Sequence, residues 1–373
     1  MRMEGERAKG PVVLCAGGTG GHLFPAQALA EELVRRGHVI HLMTDERVRD
    51  YGKSFPATAT HIVPSATVTI SSPLLLPGQL LRLWRGYRVA RAVLRELRPA
   101  AVVGFGGYPS FPPILAAARL GIACCVHDQN AVMGRANRVL ARFATRIASS
   151  FPYPAGLPAG IGGKLRYTGN PVRDIALRER AAPYPPLRGG PFNLLVFGGS
   201  QGARFFSELI PKVVAALPAE LRREIKLVQQ VRPEDRTIVD AAYNGLGLKV
   251  ETSAFFPDMP KRVAASHLVI CRSGASTIAE LGVIGRPAIL VPLPHAIEND
   301  QLHNAQQFAS AGAGWVRNQA DLEPAELAAF LTRLRSEEGT LTKAAEAALA
   351  QGKPDAAARL ADLTEELAGK ART

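Results

Sequence analysis

A chain of 373 residues, 47% hydrophobic and 21% charged, has apolar material for two domains of about 150–200 residues each, which excludes a disordered or fibrous protein. Against 32 Asp and Glu stand 45 Lys and Arg, a formal charge of +13, and such a surplus predicts an anionic partner: nucleic acid, a membrane surface or a phosphorylated substrate. No uninterrupted apolar run reaches ~18 residues, so no bilayer-spanning helix is expected, and "PVVLCA" is too short for the apolar region of a signal peptide.

In chain order, "VVLCA" reads as a strand and is followed by a helix around Ala26–Arg36, with Leu29 and Leu33 on one face and Gly37 closing the end. "HVIHLMT", "AAVVGFG" and "IACCVH" read as further strands, each followed by a turn or helix. A second series begins with "FNLLVFGGSQGARFFSELI" and continues through "IKLVQQ", "HLVICRSGASTIAELGVIG" and "PAILVPLP". Strands alternating with helices predict an α/β protein with parallel, helix-covered sheets. The Pro- and Gly-rich "FPYPAGLPAGIGGKLRYTGNPVRD" reads as the connection between the two series. The expected domains are residues 1–168 and 169–353, with a closing helix at about 354–373 that packs back on the first. Cys15, Cys124, Cys125 and Cys271 lack zinc or redox-motif spacing and lie in or at the ends of strand-like runs, so buried free thiols in a reducing cytoplasm are expected.

Between Ser71 and Ser150 there are 11 Arg, no Lys and two acids, a net +9. At helical spacing Leu83, Tyr87, Ala90, Leu94 and Leu97 share a face that suits packing on the sheet. Arg82, Arg85, Arg88, Arg91 and Arg95 spread over the other side with Leu81 and Trp84 among them, and Leu74, Leu75 and Leu76 lie just upstream. Basic residues interleaved with exposed leucines and a tryptophan predict docking on anionic lipid, with Leu75, Leu76, Leu81, Trp84, Arg85 and Arg88 as the contact set. A solvated basic helix is the plain alternative. A nucleic-acid partner is not expected, because no recognised binding module accompanies the charge.

The glycine turns carry the chemistry. "AGGTGGHLFPA" lacks the Lys-Ser/Thr of a Walker loop, and Leu23 stands where a dinucleotide fingerprint needs its last glycine. A dinucleotide-dependent oxidoreductase, for which Asp45 could close the second strand, is therefore disfavoured. A helix N-terminus still offers free N–H groups and partial positive charge, and glycines let an anion or sugar approach it. The simpler alternative is a tight βα turn needing positive φ. His22 sits at such a helix start, where the cation is disfavoured and a neutral general base is favoured; a surface or capping histidine is the alternative. In "CRSGASTIAE", Ser273 could cap a helix, while Glu280 two turns in could accept hydrogen bonds from vicinal ribose hydroxyls or remain a solvated carboxylate.

"GGTGGHLFPA", "GFGGYPSFPPILAA", "HDQN", "TGNPVR", "FGGSQGA", "CRSGASTIAEL" and "VPLPHAIENDQLHNA" occur in that order. The set resembles the MurG family, the bacterial transferases that add N-acetylglucosamine from its UDP conjugate to the peptidoglycan lipid precursor. The resemblance spans about Gly17–Ala313 and implies a GT-B fold: two Rossmann-like, doubly wound parallel-sheet domains facing across a cleft. It also implies an inverting transfer to the C4 hydroxyl of a polyprenyl-diphosphate lipid acceptor at the cytoplasmic face of the plasma membrane, with His22 as base. Thr19, Gly20 and Gly21 would approach the donor sugar and diphosphate, and Asn130 would bond the N-acetylglucosamine. Arg173 and Ser200 would meet the diphosphate or nucleoside, and Phe256 would flank the uracil. Ala275, Ser276, Thr277 and Glu280 would bind the nucleoside, with Glu280 on the ribose, and Gln301 and Asn304 would reach the sugar hydroxyls. Asp128 stands where the family commonly has Glu, and Asp300 where it commonly has His. No metal and no cofactor is expected, since no cluster of acidic ligands stands out. A related transferase acting on another lipid, such as a diacylglycerol, shares these donor motifs.

Overall fold

The computed structural model describes residues 10–18, 20–48, 55–67, 73–199, 204–294, 296–337 and 339–370. The chain divides into two compact units, one running to Arg173 and resuming at Asp355, the other spanning Asp174–Pro354.

The first unit contains β1 (Val12–Cys15), α1 (Gly20–Arg35), β2 (Ile40–Thr44), β3 (Ala59–Ile62), α2 (Leu76–Leu97) and β4 (Ala101–Gly104). It continues through α3 (Gly107–Arg119), β5 (Cys124–Asp128), α4 (Arg135–Leu140), β6 (Arg146–Ser149) and β7 (Leu165–Tyr167). All seven strands are parallel, in the order β3-β2-β1-β4-β5-β6-β7. Both faces of β1 are buried, which is why "VVLC" is an unbroken apolar run. Val12 and Leu14 pack with Leu29 and Leu33 of α1 and with Leu360 and Leu367 of the last helix. Val13 and Cys15 pack on the other face with Ala90 and Leu94 of α2 and Ile114 of α3.

The second unit contains α5 (Asp174–Leu177), β8 (Phe192–Phe197), α6 (Arg204–Ala216), α7 (Ala219–Glu224), β9 (Ile225–Gln230), α8 (Arg236–Tyr243) and β10 (Lys249–Ser253). Then follow α9 (Met259–Ala264), β11 (Leu268–Cys271), α10 (Ala275–Ile284), β12 (Ala288–Leu290), α11 (Asp300–Ser310), β13 (Gly314–Val316), α12 (Pro324–Ser336) and α13 (Thr340–Gln351). Its six parallel strands run β10-β9-β8-β11-β12-β13, the same winding as the first sheet. Phe206, Ile210 and Val213 of α6 cover Leu194, Val196 and Ile270.

The closing helix α14 (Ala356–Lys370) belongs to the first unit and packs along α1. Arg36 fastens it through Asp362 at 2.6 Å and Glu365 at 2.8 Å, and His38 reaches Glu365 at 2.7 Å. These two donors, His38 foremost, hold the Glu365 carboxyl below its ordinary range.

Three expectations need correcting. The first helix begins at Gly20, not near Ala26, and Pro25 lies inside its second turn. The Pro- and Gly-rich connection belongs to the first unit beyond residue 168: it contributes β7 and stays with that unit as far as Arg173. The α2 face reaches α3 as well as the sheet, and Arg91 is half-buried rather than on the open side.

Candidate active site

In each sheet the winding reverses beside the first strand: β1 lies between β2 and β4, and β8 between β9 and β11. Ligands of such sheets bind beyond the carboxyl ends of the strands at that reversal. In the first unit the reversal is bordered by Gly17 and Gly18 after β1 and by Phe105, Gly106 and Gly107 after β4. In the second it is bordered by Gly198 and Gly199 after β8 and by Arg272, Ser273 and Gly274 after β11. The glycine motifs therefore fall where a ligand crevice forms.

His22 is the third residue of α1 and is half-buried. Its Nδ1 lies 3.0 Å from Oε1 of Gln129. Its ring rests against the turn after β4, where Gly106 and Gly107 adopt φ of 84° and 68°. A Cβ on Gly107 would stand 3.2 Å from Cδ2 and 3.3 Å from Nε2 of His22, so glycine there leaves the ring its room.

Behind His22 the "HDQN" segment is tied inward. Gln129 Nε2 donates to Nδ1 of His127 at 2.9 Å and to the His127 carbonyl at 3.0 Å. His127 Nε2 in turn lies 3.0 Å from the Gly169 carbonyl in the "TGNPVR" turn. His127 is fully buried, and that burial lowers its pKa to about 4, so it is neutral near pH 7. Asp128 also faces inward: its carboxylate accepts from the backbone N–H of Asn130 at 3.1 Å and Gly134 at 3.0 Å, and from Asn137 Nδ2 at 2.8 Å. Burial raises its pKa against these donors. Asp128 thus shapes the turn that holds Asn130, and Asn130 itself is half-exposed.

In the second unit α10 starts at Gly274 without a side-chain cap, and Ala275 to Glu280 are all half-exposed while Leu281 to Ile284 are buried. Ser273 does not cap this helix. Its hydroxyl donates to the Gln301 carbonyl at 2.7 Å, and its own carbonyl accepts from Asn304 Nδ2 at 3.3 Å. No side chain caps α10 at Gly274, and a helix start of this kind is a setting that receives an anion.

Gly20 and Gly21 lie in the first turn of α1, beside His22. Arg173 places its guanidinium 3.8 Å from the centre of the Phe24 ring, which brings it to the same helix start. Thr19 and Ser200 lie outside the described residues. Gln301 is half-exposed, and its Oε1 accepts from the Leu293 N–H at 3.0 Å. Two of the expected residues are buried. Asn304 is 0% exposed, and its Nδ2 donates to the Ser273 carbonyl, which holds the loop before α10. Phe256 is 4% exposed, with Arg262 stacked 4.2 Å from its ring centre, whereas the neighbouring Phe255 is 63% exposed and is the accessible ring of that turn. Sequence reading missed His127 and Gln129. Both were within a quoted motif, yet a strand buried on both faces gives no alternation to show which side chains point at His22.

Asp45, the acid a dinucleotide ribose would need, is buried and bonded to the Arg47 guanidinium, with Nε 2.9 Å from its Oδ2. Among the described residues no group of three or more His, Cys, Asp or Glu could hold a metal ion. All four cysteines are buried and unpaired, and burial pushes the Cys125 thiol up to about 12.

Two Rossmann-like domains, each with glycine turns at its winding reversal, define a glycosyltransferase of the GT-B fold. The chain belongs to glycosyltransferase family 28: residues 12–149 match the N-terminal domain of that family and residues 193–360 its C-terminal domain. A protein of Sinorhizobium fredii named UDP-N-acetylglucosamine--N-acetylmuramyl-(pentapeptide) pyrophosphoryl-undecaprenol N-acetylglucosamine transferase is 49% identical over 363 residues, 96% of each chain. The crystal structure of MurG from Acinetobacter baumannii superposes with a TM-score of 0.77 at 28% identity, covering 96% of this chain and 99% of that one. CalG4, a calicheamicin glycosyltransferase, shares the fold at a TM-score of 0.68 and 18% identity, covering the whole of both chains.

Proposed function

We propose that this protein transfers N-acetylglucosamine from UDP-N-acetylglucosamine to the C4 hydroxyl of N-acetylmuramyl-pentapeptide diphosphoundecaprenol, with inversion at the anomeric carbon. The observation that carries this reading is the 49% identity over 96% of the chain with a relative bearing that name. The acceptor oxygen attacks C1 of the sugar on the face opposite the diphosphate. As that bond forms, the C1–O bond to the diphosphate breaks, its electron pair leaves with UDP, and the hydroxyl proton passes to the free ring nitrogen of His22. The positive end of α10 stabilises the charge gathering on the leaving diphosphate. Gly20 and Gly21 approach the donor sugar and diphosphate, and Asn130 and Gln301 meet the N-acetylglucosamine. Ala275, Ser276, Thr277 and Glu280 hold the nucleoside, Glu280 on its ribose, with Phe255 in place of Phe256 against the uracil.

The test is mass spectrometry of the undecaprenyl lipid incubated with UDP-N-acetylglucosamine and the protein. A product heavier by one N-acetylhexosamine is expected; an unaltered acceptor beside a glycosylated diacylglycerol would assign the enzyme to a different lipid.

The same reading places the protein on an anionic membrane surface. Leu74 is 96% and Trp84 53% exposed; Leu75, Leu81, Arg85 and Arg88 are exposed as well, Leu76 is half-buried, and the Arg88 guanidinium lies 4.9 Å from the centre of the Trp84 ring. No helix among the described residues is long and apolar enough to cross a membrane. Each basic residue at an anionic surface contributes ~1 kcal/mol, so replacing Trp84 and Arg85 with Ser should weaken sedimentation with phosphatidylglycerol vesicles by roughly tenfold. Unchanged sedimentation would move the docking surface elsewhere.

A further inference from the structure

An imidazole can act as base through only one nitrogen at a time, and which one depends on where the other keeps its proton. The hydrogen-bond chain behind His22 decides this, because backbone carbonyls fix its polarity. The Gly169 carbonyl only accepts, so the His127 Nε2 that faces it at 3.0 Å carries the proton. Neutral His127 then has its lone pair on Nδ1, which accepts from Gln129 Nε2 at 2.9 Å. The second amide hydrogen of Gln129 goes to the His127 carbonyl at 3.0 Å. Both acceptors require the amide nitrogen on that side, and the reversed amide would set its oxygen against a carbonyl and a ring lone pair. Gln129 Oε1 is thereby turned toward His22, where it can only accept, at 3.0 Å from Nδ1.

We propose that Gln129 and His127 are positioning residues that lock neutral His22 as the Nδ1–H tautomer, leaving the lone pair on Nε2, the nitrogen beside Gly107, to receive the proton of the acceptor hydroxyl. Its catalytic half rests on His22 being the base; the tautomer assignment stands on the hydrogen bonds alone. A free neutral imidazole favours the proton on Nε2, so the lock reverses the intrinsic preference and exposes the nitrogen that would otherwise be blocked. Gln129 is 3% exposed and His127 0%, so water does not compete for these bonds. The arrangement also gives "GFGG", "HDQN" and "TGNP" a shared purpose: the first leaves room for the ring, the second supplies the amide and the buried imidazole, and the third provides the carbonyl that sets the direction.

The test uses the full chain with nitrogen-15-labelled histidine and two-bond proton–nitrogen correlation spectra at a pH where the imidazoles are neutral, with His22 identified by the signal lost in His22→Asn. The unaltered protein should show His22 as Nδ1–H. Gln129→Leu should convert it to Nε2–H and lower kcat by roughly tenfold or more, with KM for UDP-N-acetylglucosamine unchanged. Gln129→Glu keeps an acceptor for Nδ1–H but sets its second oxygen against the His127 carbonyl and Nδ1, so it should retain the tautomer and lower kcat less than Gln129→Leu does, a partial rescue that mere space-filling would not produce. His22 found as Nε2–H in the unaltered protein, or as Nδ1–H in Gln129→Leu, would overturn the lock. If Gln129→Leu fails to bind UDP and so to fold, the spectra of the unaltered protein and of Gln129→Glu still decide. A tautomer switch with kcat unchanged would support the lock and remove His22 as the base.

Discussion

Replacing His22 with Ala should reduce turnover by about 10²–10⁴-fold, the range a general base contributes, while UDP affinity stays near that of the unaltered protein. The separation follows from position. His22 sits in the first turn of α1 with its ring against Gly106 and Gly107, whereas the segment Ala275–Glu280, on which the nucleoside is proposed to rest, belongs to the other domain. Steady-state turnover with UDP-N-acetylglucosamine, paired with calorimetric titration of UDP, reads both quantities. Near-normal turnover would remove His22 from the proton transfer; parallel loss of UDP affinity would make it a donor ligand instead.

Replacing Arg286 with Met should destabilise the C-terminal domain by roughly 3–5 kcal/mol, from several buried carbonyls left without a donor. Arg286 is 2% exposed, and its hydrogen bonds run to backbone carbonyls, with Glu179 adding a Coulombic attraction. Its guanidinium donates to the carbonyls of Ala264 at 2.6 and 2.9 Å, Ile284 at 2.9 Å, Gly285 at 3.1 Å, Pro183 at 2.8 Å and Ala182 at 3.3 Å. Burial lowers its pKa, which is the desolvation these carbonyls offset. One side chain thus joins the segment before β8, the end of α9 and the turn from α10 into β12. Met fills a similar volume but donates nothing. For a domain of this size the loss corresponds to a melting-point fall of about 6–20 °C, which differential scanning calorimetry would show; a fall under about 2 °C would mean that water replaces the guanidinium.

The sequence determined the central strands, because strands buried on both faces are almost wholly apolar, as "VVLC", "AVVG", "FNLLVF" and "LVIC" are. It also located the glycine turns and the histidine between them, since close approach to a helix start demands glycine whatever surrounds it. The edge strands β3, β7, β10 and β13 passed unnoticed: each is short and half-covered, so no apolar run marks it. Short β6, "RIAS", was missed as well.

What the tertiary structure alone decided was direction. Phe255 and Phe256 are equivalent as residue types, yet one ring is exposed and the other lies under Arg262. Asn304, in a motif that implied sugar contacts, turns inward to hold the Ser273 carbonyl. Asp128 turns into its own loop, while its neighbour Gln129, 107 positions from His22 in the chain, joins that histidine to the buried imidazole of His127. Residue type and spacing record which groups are available. Which of them face one another depends on the register of parallel strands and on contacts between distant segments, and these exist only once the sheet has assembled.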